Sequence, residues 1–180
     1  MSEQAKTSRR PADIYFFATC VVDQFFPGAG LDAITLLERE GIRVHFPEEQ
    51  TCCGQPAYTS GFSDEARKVA ALQLTLFPND WPVVVPSGSC AGMMKHHYPT
   101  LFEADPVRKK LAESLSARVY ELTDFLVNVL DWQPEDKGSD CTVVLHTSCS
   151  ARREMGVHLT GRKLLGGLNK VSVAQQDHES

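Results

Sequence analysis

The sequence predicts an α/β fold in which a mostly parallel, Rossmann-like sheet carries helices on both faces. Short apolar runs alternate with segments whose apolar residues recur at helical spacing, a pattern typical of parallel sheets with crossover helices. Cysteines follow these apolar runs, and open α/β sheets bind ligands at the carboxyl ends of their strands. With 180 residues and an apolar fraction of 42%, the chain is long enough to bury a sizeable core.

Three buried strands are predicted in the first half of the chain, each a run of apolar and aromatic residues. They cover residues 13–19, 42–46 and 82–86. Each strand leads to one or two cysteines, which are in order Cys20, Cys52, Cys53 and Cys90. Because parallel strands end at the same edge of a sheet, these four thiols are expected to converge there.

Helices are predicted between the strands from apolar spacing and end signals. They comprise residues 31–40 and the segments that begin at Ser63, near Cys90, at Pro106 and at Thr123. Residues 26–30 are interpreted as a loop, and residues 118–121 as a further short strand. Ser63 and Thr123 are expected to be N-caps. The place of Cys90 in a first helical turn favours the thiolate form that a metal requires.

After a linker at residues 132–140 the chain begins a second, incomplete copy of the same unit. Residues 142–149 repeat the pattern of residues 13–20, which is an apolar strand, then Thr or Ser, then cysteine. A helix at 160–168 and a strand at 170–173 are expected to follow. The predicted organisation is a flexible leader at 1–11, a first domain at 12–131, the linker, and a truncated second domain at 141–180.

Composition predicts a soluble, cytoplasmic protein. No run approaches the roughly 20 apolar residues of a membrane span, and the first ten residues lack the apolar segment of a signal peptide. A formal charge of −5 without a basic block argues against nucleic acid as a partner. Six cysteines in a reducing compartment are expected to be ligands or reactive thiols rather than a disulfide framework.

The most informative stretch is Thr-Cys-Cys-Gly-Gln-Pro at residues 51–56. Adjacent thiols seldom close a disulfide with each other, because that bond favours Cα atoms about 4.4–6.8 Å apart and neighbouring Cα atoms are nearer 3.8 Å. A centre with more than one metal atom suits adjacent thiolates, since each can bind a different iron. Gly54 allows a positive φ, and Pro56 interrupts regular structure.

These cysteines carry a resemblance to a known family. Cys20, a spacer of 31 residues, Cys-Cys-Gly at 52–54 and Cys90 within Ser-Gly-Ser-Cys resemble the CCG cysteine-rich domain family. That family includes the cysteine-rich subunit of heterodisulfide reductase, the iron–sulfur subunit of glycolate oxidase and two-domain lactate utilisation proteins. Residues 86–90 and 146–156 are similar to the paired signatures of the lactate utilisation branch, and the resemblance extends over residues 12–180.

The resemblance implies an iron–sulfur cluster, of the [4Fe–4S] type, in each α/β unit. Its ligands would be Cys20, Cys52, Cys53 and Cys90, with Cys149 as a metal ligand in the second unit. The implied function is an iron–sulfur electron-transfer subunit of an L-lactate-oxidising complex, with other subunits of an iron–sulfur or ferredoxin type as partners. The alternatives within the family are a disulfide or heterodisulfide reductase subunit and a glycolate oxidase iron–sulfur subunit.

The chain departs from the family pattern at one ligand. In heterodisulfide reductase five cysteines hold a noncubane cluster, and the last two are spaced Cys-x-x-Cys. If Pro86 is the anchor, Ser87 stands at the fourth position; if the spacing from Gly54 is the anchor, Met93 replaces the fifth. A conventional [4Fe–4S] cluster needs only four thiolates. The Cys-Cys-Gly of the second unit is expected at about position 181, beyond the chain.

Three other interpretations stay open from the residues alone. A structural zinc site would use four thiolates, but it normally uses Cys-x2–4-Cys knuckles. A dithiol oxidoreductase would pair Cys90 with a second cysteine at a helix start. An interaction protein with incidental buried thiols is the third. Cys141, His96 and His97 are interpreted as structural or solvated residues, and His146 as a strand-end residue that could hydrogen-bond a sulfur.

Overall fold

The computed structural model describes residues 10–174, and most of the predicted leader lies outside these residues. Four strands form one parallel sheet in the order β2–β1–β3–β4. The strands are β1 (Asp13–Phe16), β2 (Arg43–His45), β3 (Val83–Val85) and β4 (Val119–Glu121). The predicted parallel α/β fold is confirmed, although the first strand ends at Phe16 rather than at Thr19.

Helical segments connect these strands. They are α1 (Cys20–Phe25), α2 (Pro27–Arg39), α3 (Gln55–Thr59), α4 (Ser63–Gln73), α5 (Gly88–Gly92), a π-helical segment (Met93–His97), α6 (Tyr98–Leu101), α7 (Pro106–Ser116), α8 (Leu122–Asp124) and a second π-helical segment (Phe125–Val129). Within residues 10–174, no helix combines the length and apolar character that crossing a bilayer requires.

The core has two layers, one on each face of the sheet. Successive residues of a strand point to opposite faces. Tyr15 accordingly packs with the buried residues Phe77 and Tyr98, whereas Phe16 packs on the other face with Leu37 and others. All three residues of β3 are fully buried, as expected for a central strand covered on both sides. The sheet is therefore a rigid support for the loops at its carboxyl edge.

Several predicted helix limits are wrong. Residues 26–30 are not a loop, because α2 begins at Pro27, where a proline costs no helical hydrogen bond. Ser63 is the first helical residue rather than the N-cap. Thr123 is not a cap either: the carboxylate of Glu121 accepts hydrogen bonds from the N–H groups of Thr123 and Asp124 at 2.7 and 3.2 Å.

The second half repeats the start of the first. Its strands, β5 (Cys141–Val144) and β6 (Val171–Ala174), pair in parallel in a separate two-stranded sheet. Cys141 lies opposite Val171, and Asp13 opposite Arg43, with the same separation of 30 residues in both. The helices between them are α9 (Cys149–Met155) and α10 (Val157–Gly166), so the single predicted helix at 160–168 begins too late. The domain boundaries stay a prediction.

The second half packs against the first at two places. Helix α9 lies so close to α5 that a Cβ atom on Gly88 would meet the Cβ of Ala151 at 2.5 Å. Helix α10 contacts the end of the first half, where the hydroxyls of Thr123 and Thr160 are hydrogen bonded at 2.6 Å. The second half therefore buries apolar surface against the first one.

Candidate metal centre

The candidate site lies at the carboxyl edge of the four-stranded sheet, where the order of the strands reverses. The chain passes from β1 to β2 on one side and then to β3 on the other side of β1. Such a switch point opens a crevice between the two neighbouring strand ends. Cys20 follows β1 at the start of α1, and Cys90 follows β3 within α5. The two thiols therefore flank this crevice.

The vicinal pair Cys52 and Cys53 enters from the loop between β2 and α3. Gly54 directly after it has a φ of +84°, and a Cβ at this position would lie 3.3 Å from the carbonyl oxygen of Ala66. The N–H of Gly54 donates a hydrogen bond to Sγ of Cys52 at 3.4 Å. The buried hydroxyl of Tyr98 donates to the carbonyl of Cys53 at 2.9 Å. At position 54, glycine is needed both for the positive φ of the turn and for the close packing on Ala66.

The approach to Cys20 depends on a residue that the sequence did not single out. The side chain of Gln50 accepts a hydrogen bond from the N–H of Ala18 at 2.9 Å and donates to the carbonyl of Phe16 at 3.2 Å. This amide fastens the β2–α3 loop to the end of β1. Thr19 has a positive φ of 59° and caps α1 through its side chain. A lone glutamine in a loop carries no sequence signal for this role.

The four predicted ligand thiols lie next to one another as two interacting pairs. Burial, followed by the neighbouring Cys52, raises the pKa of the Cys20 thiol. A hydrogen bond to Cys90, together with burial, raises the pKa of Cys53. The same hydrogen bond, with a smaller contribution from Ser87, lowers the pKa of Cys90. Of these two neighbouring thiols, Cys90 is therefore the one that more readily becomes a thiolate.

The donor set suits a cluster with several metal atoms. Within residues 10–174, no three His, Cys, Asp or Glu side chains are gathered closely enough to hold a single metal ion. Four thiolates can nevertheless hold an iron–sulfur cluster, because each binds a different iron and they need not share one. An open cavity of about 470 Å³ adjoins Cys20 and Cys52 and is lined also by Asp23, Phe46 and Glu48. The chemistry and the surrounding space fit such a group.

The remaining candidate residues lie elsewhere. Cys149 is exposed at the first residue of α9, outside the group of four thiols, and Cys141 is exposed at the start of β5. His96 is exposed, in agreement with its interpretation as a solvated residue, whereas His97 is half-buried. The Nε2 atoms of His96 and His97 lie 3.2 Å from the carbonyl oxygen and 3.3 Å from Oε1 of Glu154, respectively. These histidines therefore join the two halves.

Comparison with known proteins adds two findings. The profile of the cysteine-rich domain, CCG, matches residues 14–95, which contain all four thiols. The chain is 46% identical over 143 residues to lactate utilization protein A of Shouchella clausii. The matched region covers 78% of this chain and 59% of that protein.

Two further relatives carry similar names. Lactate utilization protein A of Geobacillus kaustophilus is 44% identical over 154 residues, or 84% of this chain and 63% of the relative. Lactate utilization protein A 2 of Bacillus cereus (strain 03BB102) is 38% identical over 167 residues, or 90% and 67%. The chain thus spans about three fifths to two thirds of the length of these relatives.

Proposed function

The chain belongs to the lactate utilization protein A family of CCG cysteine-rich domain proteins, and we propose that it is an iron–sulfur electron-transfer subunit of an L-lactate-oxidising system. The observation that carries the proposal is the grouping of Cys20 with Cys52 and of Cys53 with Cys90 at the switch point. The names of the relatives support the connection to lactate. A bound cluster would supply one-electron transfer.

The residues around the thiols have distinct roles in this proposal. Cys53 and Cys90 are only 1% and 7% exposed, so they would hold the inner side of the cluster away from water. Cys20 and Cys52 are partly exposed beside the open cavity. An electron donor or acceptor would therefore approach from the side of Cys20 and Cys52, with Tyr98 and Gly54 holding the vicinal pair in place. The partners would be iron–sulfur or ferredoxin-type subunits of the same system.

The direct test is the iron and sulfide content of anaerobically purified protein. Wild type is expected to hold about four iron and four sulfide ions per chain. Cys52→Ala and Cys90→Ala should each lose most of this content, because each removes a proposed ligand. Cys141→Ala is the matched control, since it removes an exposed thiol at the start of β5. It should keep the wild-type content and the visible absorption of the cluster.

Three other outcomes of this measurement would reject the iron–sulfur proposal. Zinc without iron would indicate a structural metal site, and a metal-free protein after anaerobic reconstitution would indicate a thiol-based or purely structural role. Equal losses in Cys52→Ala and Cys141→Ala would mean that the effect comes from thiol removal in general. Iron bound in the predicted amount would leave the lactate connection to be tested separately.

The connection to lactate is tested in cells that lack any other lactate dehydrogenase. Deleting the gene should prevent growth on L-lactate as sole carbon source, and the wild-type gene should restore it. A gene with Cys52→Ala should not restore growth, whereas one with Cys141→Ala should. Normal growth of the deletion strain would reject the lactate assignment. Disulfide reduction by the purified protein would instead favour the heterodisulfide reductase branch.

The second half is proposed to begin a second site at Cys149. The support is structural repetition: Ser148 accepts the N–H of Ala151 in the way that Thr19 accepts the N–H of Val22. In both halves, a helix that starts with cysteine also lies between the two paired strands in the sequence. A protein extended to the full length of its relatives is expected to bind about twice as much iron per chain as the 180-residue chain.

A further inference from the structure

The short helix α1 begins with the proposed ligand Cys20, and none of its residues is fully buried. Its Val22 packs towards α2, because a Cβ atom on Gly30 would lie 3.1 Å from Cγ1 of Val22. Val21 and Phe25 are four residues apart, so they share a different face of the helix. These two side chains are 51% and 71% exposed. Helix α1 therefore presents an uncovered apolar face beside the thiol of Cys20.

The exposed apolar surface continues beyond α1. Phe26, which joins α1 to α2, is 62% exposed, and Leu31 in α2 is exposed as well. Phe46, in the loop after β2, is exposed and lines the open cavity together with Cys20 and Cys52. We call these exposed apolar side chains the α1 surface: Val21, Phe25, Phe26, Leu31 and Phe46. Exposed apolar patches of this kind mark places where another molecule binds.

The charges next to the α1 surface are negative. Asp23 and Glu48 line the cavity, and Glu49 is exposed directly after Glu48. Residues 11–38 and 44–66, which include the whole α1 surface, contain no lysine or arginine. A cluster held by four thiolates adds negative charge to the same place, so these carboxylates repel it. Lysine and arginine side chains of a partner would neutralise this repulsion.

These charges disfavour two other occupants of the α1 surface. A second copy of the chain in a two-fold dimer would place the same patch against itself, and its carboxylates would face one another. An anionic membrane surface would repel the carboxylates too. A protein with a basic face is the occupant that the charges favour.

We propose that the α1 surface is the docking face for a redox partner protein whose own face has an apolar centre surrounded by lysine and arginine. This inference rests on the proposed function, because the partner would exchange electrons with the cluster beside Cys20 and Cys52. Interfaces combine an apolar centre rich in aromatic residues with a polar rim. Complementary charges raise the association rate and orient the partner, and salt screens them. Binding should therefore weaken as the ionic strength rises.

The first test is calorimetric binding of a probe protein to the anaerobically purified 180-residue chain. The probe is cytochrome c, a basic protein whose lysines surround an apolar haem edge, and succinylated cytochrome c, whose lysines carry carboxylates, is the control probe. Only the unmodified probe should bind, and salt should weaken its binding.

Variants of the chain separate the α1 surface from the net charge of the protein. Glu48→Gln combined with Glu49→Gln should weaken cytochrome c binding about fivefold. Glu113→Gln combined with Asp140→Asn removes the same charge from exposed positions elsewhere and should change binding by less than about twofold. Phe25→Ser should weaken binding about tenfold. Val107→Ser, which changes an exposed apolar residue of α7, should have no effect.

The second test uses the natural partner in cells without requiring its identity. The host is a strain that lacks this gene and any other lactate dehydrogenase. A gene with Glu48→Lys and Glu49→Lys should fail to restore growth on L-lactate, although the purified variant keeps the wild-type iron content. A gene with Glu113→Lys and Asp140→Lys should restore growth, because it makes the same change of charge away from the α1 surface.

Three results would overturn the docking proposal and leave the iron–sulfur function standing. Equal weakening by the two pairs of charge variants would attribute cytochrome c binding to net charge alone. Growth with Glu48→Lys and Glu49→Lys would show that the natural partner docks elsewhere. A wild-type dimer in sedimentation experiments that Phe25→Ser converts to a monomer would identify a second copy as the occupant. A wild-type protein without iron would instead reject the proposed function, and this inference with it.

Discussion

The hydroxyl of Tyr98 donates a hydrogen bond to the backbone carbonyl of Cys53 at 2.9 Å, in a part of the core without solvent access. The bond joins α6 to the loop that carries the vicinal cysteine pair. Burial, followed by the nearby thiols, raises the pKa of Tyr98, so the phenol remains a donor. Helix α6, which follows the segment of Cys90, thus also supports the loop that carries Cys52 and Cys53.

Removal of this donor should destabilise the fold. Tyr98→Phe keeps the ring but leaves the Cys53 carbonyl without this partner, and an unsatisfied buried polar group costs about 1–3 kcal/mol. Urea unfolding should therefore give a free energy of unfolding that is lower by about this amount. Tyr58→Phe is the control, because the rings of Tyr58 and His97 pack with their centroids 4.8 Å apart and phenylalanine keeps this ring contact. Equal losses in the two variants would contradict the interpretation.

Two glycines with the same backbone conformation separate turn strain from crowding beside the thiols. Gly54 and Gly61 have φ values of +84° and +86°, so alanine at either position costs about 1–2 kcal/mol. Only at Gly54 does a new Cβ crowd a neighbour, the carbonyl oxygen of Ala66 at 3.3 Å, whereas Gly61 has open space. Gly54→Ala should lower the free energy of unfolding more than Gly61→Ala. A smaller loss at Gly54 would contradict this.

The sequence was sufficient for the sheet and for the edge that carries the thiols. Strands buried on both faces are continuous apolar runs, and β3 illustrates this with three valines in succession. The repeat at Cys149 was also visible, because a strand, a hydroxyl residue and a cysteine form a local pattern. Features encoded within a few neighbouring residues were therefore predictable.

Features that depend on distant contacts were not predictable. Gln50 holds Ala18 across 32 positions of sequence, and nothing near Gln50 indicates that partner. The cap at Thr123 was assigned to the wrong residue because a threonine is an ordinary N-cap, whereas Glu121 caps from two residues earlier. The close packing of α9 on α5 depends on Gly88 facing Ala151, which only the folded chain brings together.

Glu121 should make stability depend on pH. Burial raises its pKa above the ordinary 4.5, and hydrogen bonds from Thr123 and Asp124 offset this only in part. The folded protein then binds more protons than the unfolded chain at pH values just above 4.5, so this contribution to stability falls as the pH rises through that window. Glu121→Gln keeps an oxygen acceptor for the cap and cannot ionise.

The measurement is the free energy of unfolding of both proteins at a series of pH values from 4 to 8. The stability of Glu121→Gln relative to wild type should increase with pH above 4.5 and then level off. Asp124→Asn is the control, because it removes a nearby carboxylate from the short helix that Glu121 caps. A difference between Glu121→Gln and wild type that stays constant or decreases with pH would contradict the raised pKa.

Contact between the two halves should depend on the absence of a side chain at Gly88. A Cβ there would lie 2.5 Å from Cβ and 2.9 Å from Cα of Ala151, so backbone rather than a flexible side chain would have to move. Gly88→Ala should therefore cost about 1–3 kcal/mol of unfolding free energy and increase hydrogen exchange in α9. Adding Ala151→Gly removes the nearest atom and should recover part of the loss. Gly28→Ala is the control in α2, because a Cβ there would have no other atom within 4 Å. This change should be neutral or stabilising by up to about 1 kcal/mol. If Gly88→Ala left the hydrogen-exchange protection of α9 unchanged, the two halves would not pack through this helix pair.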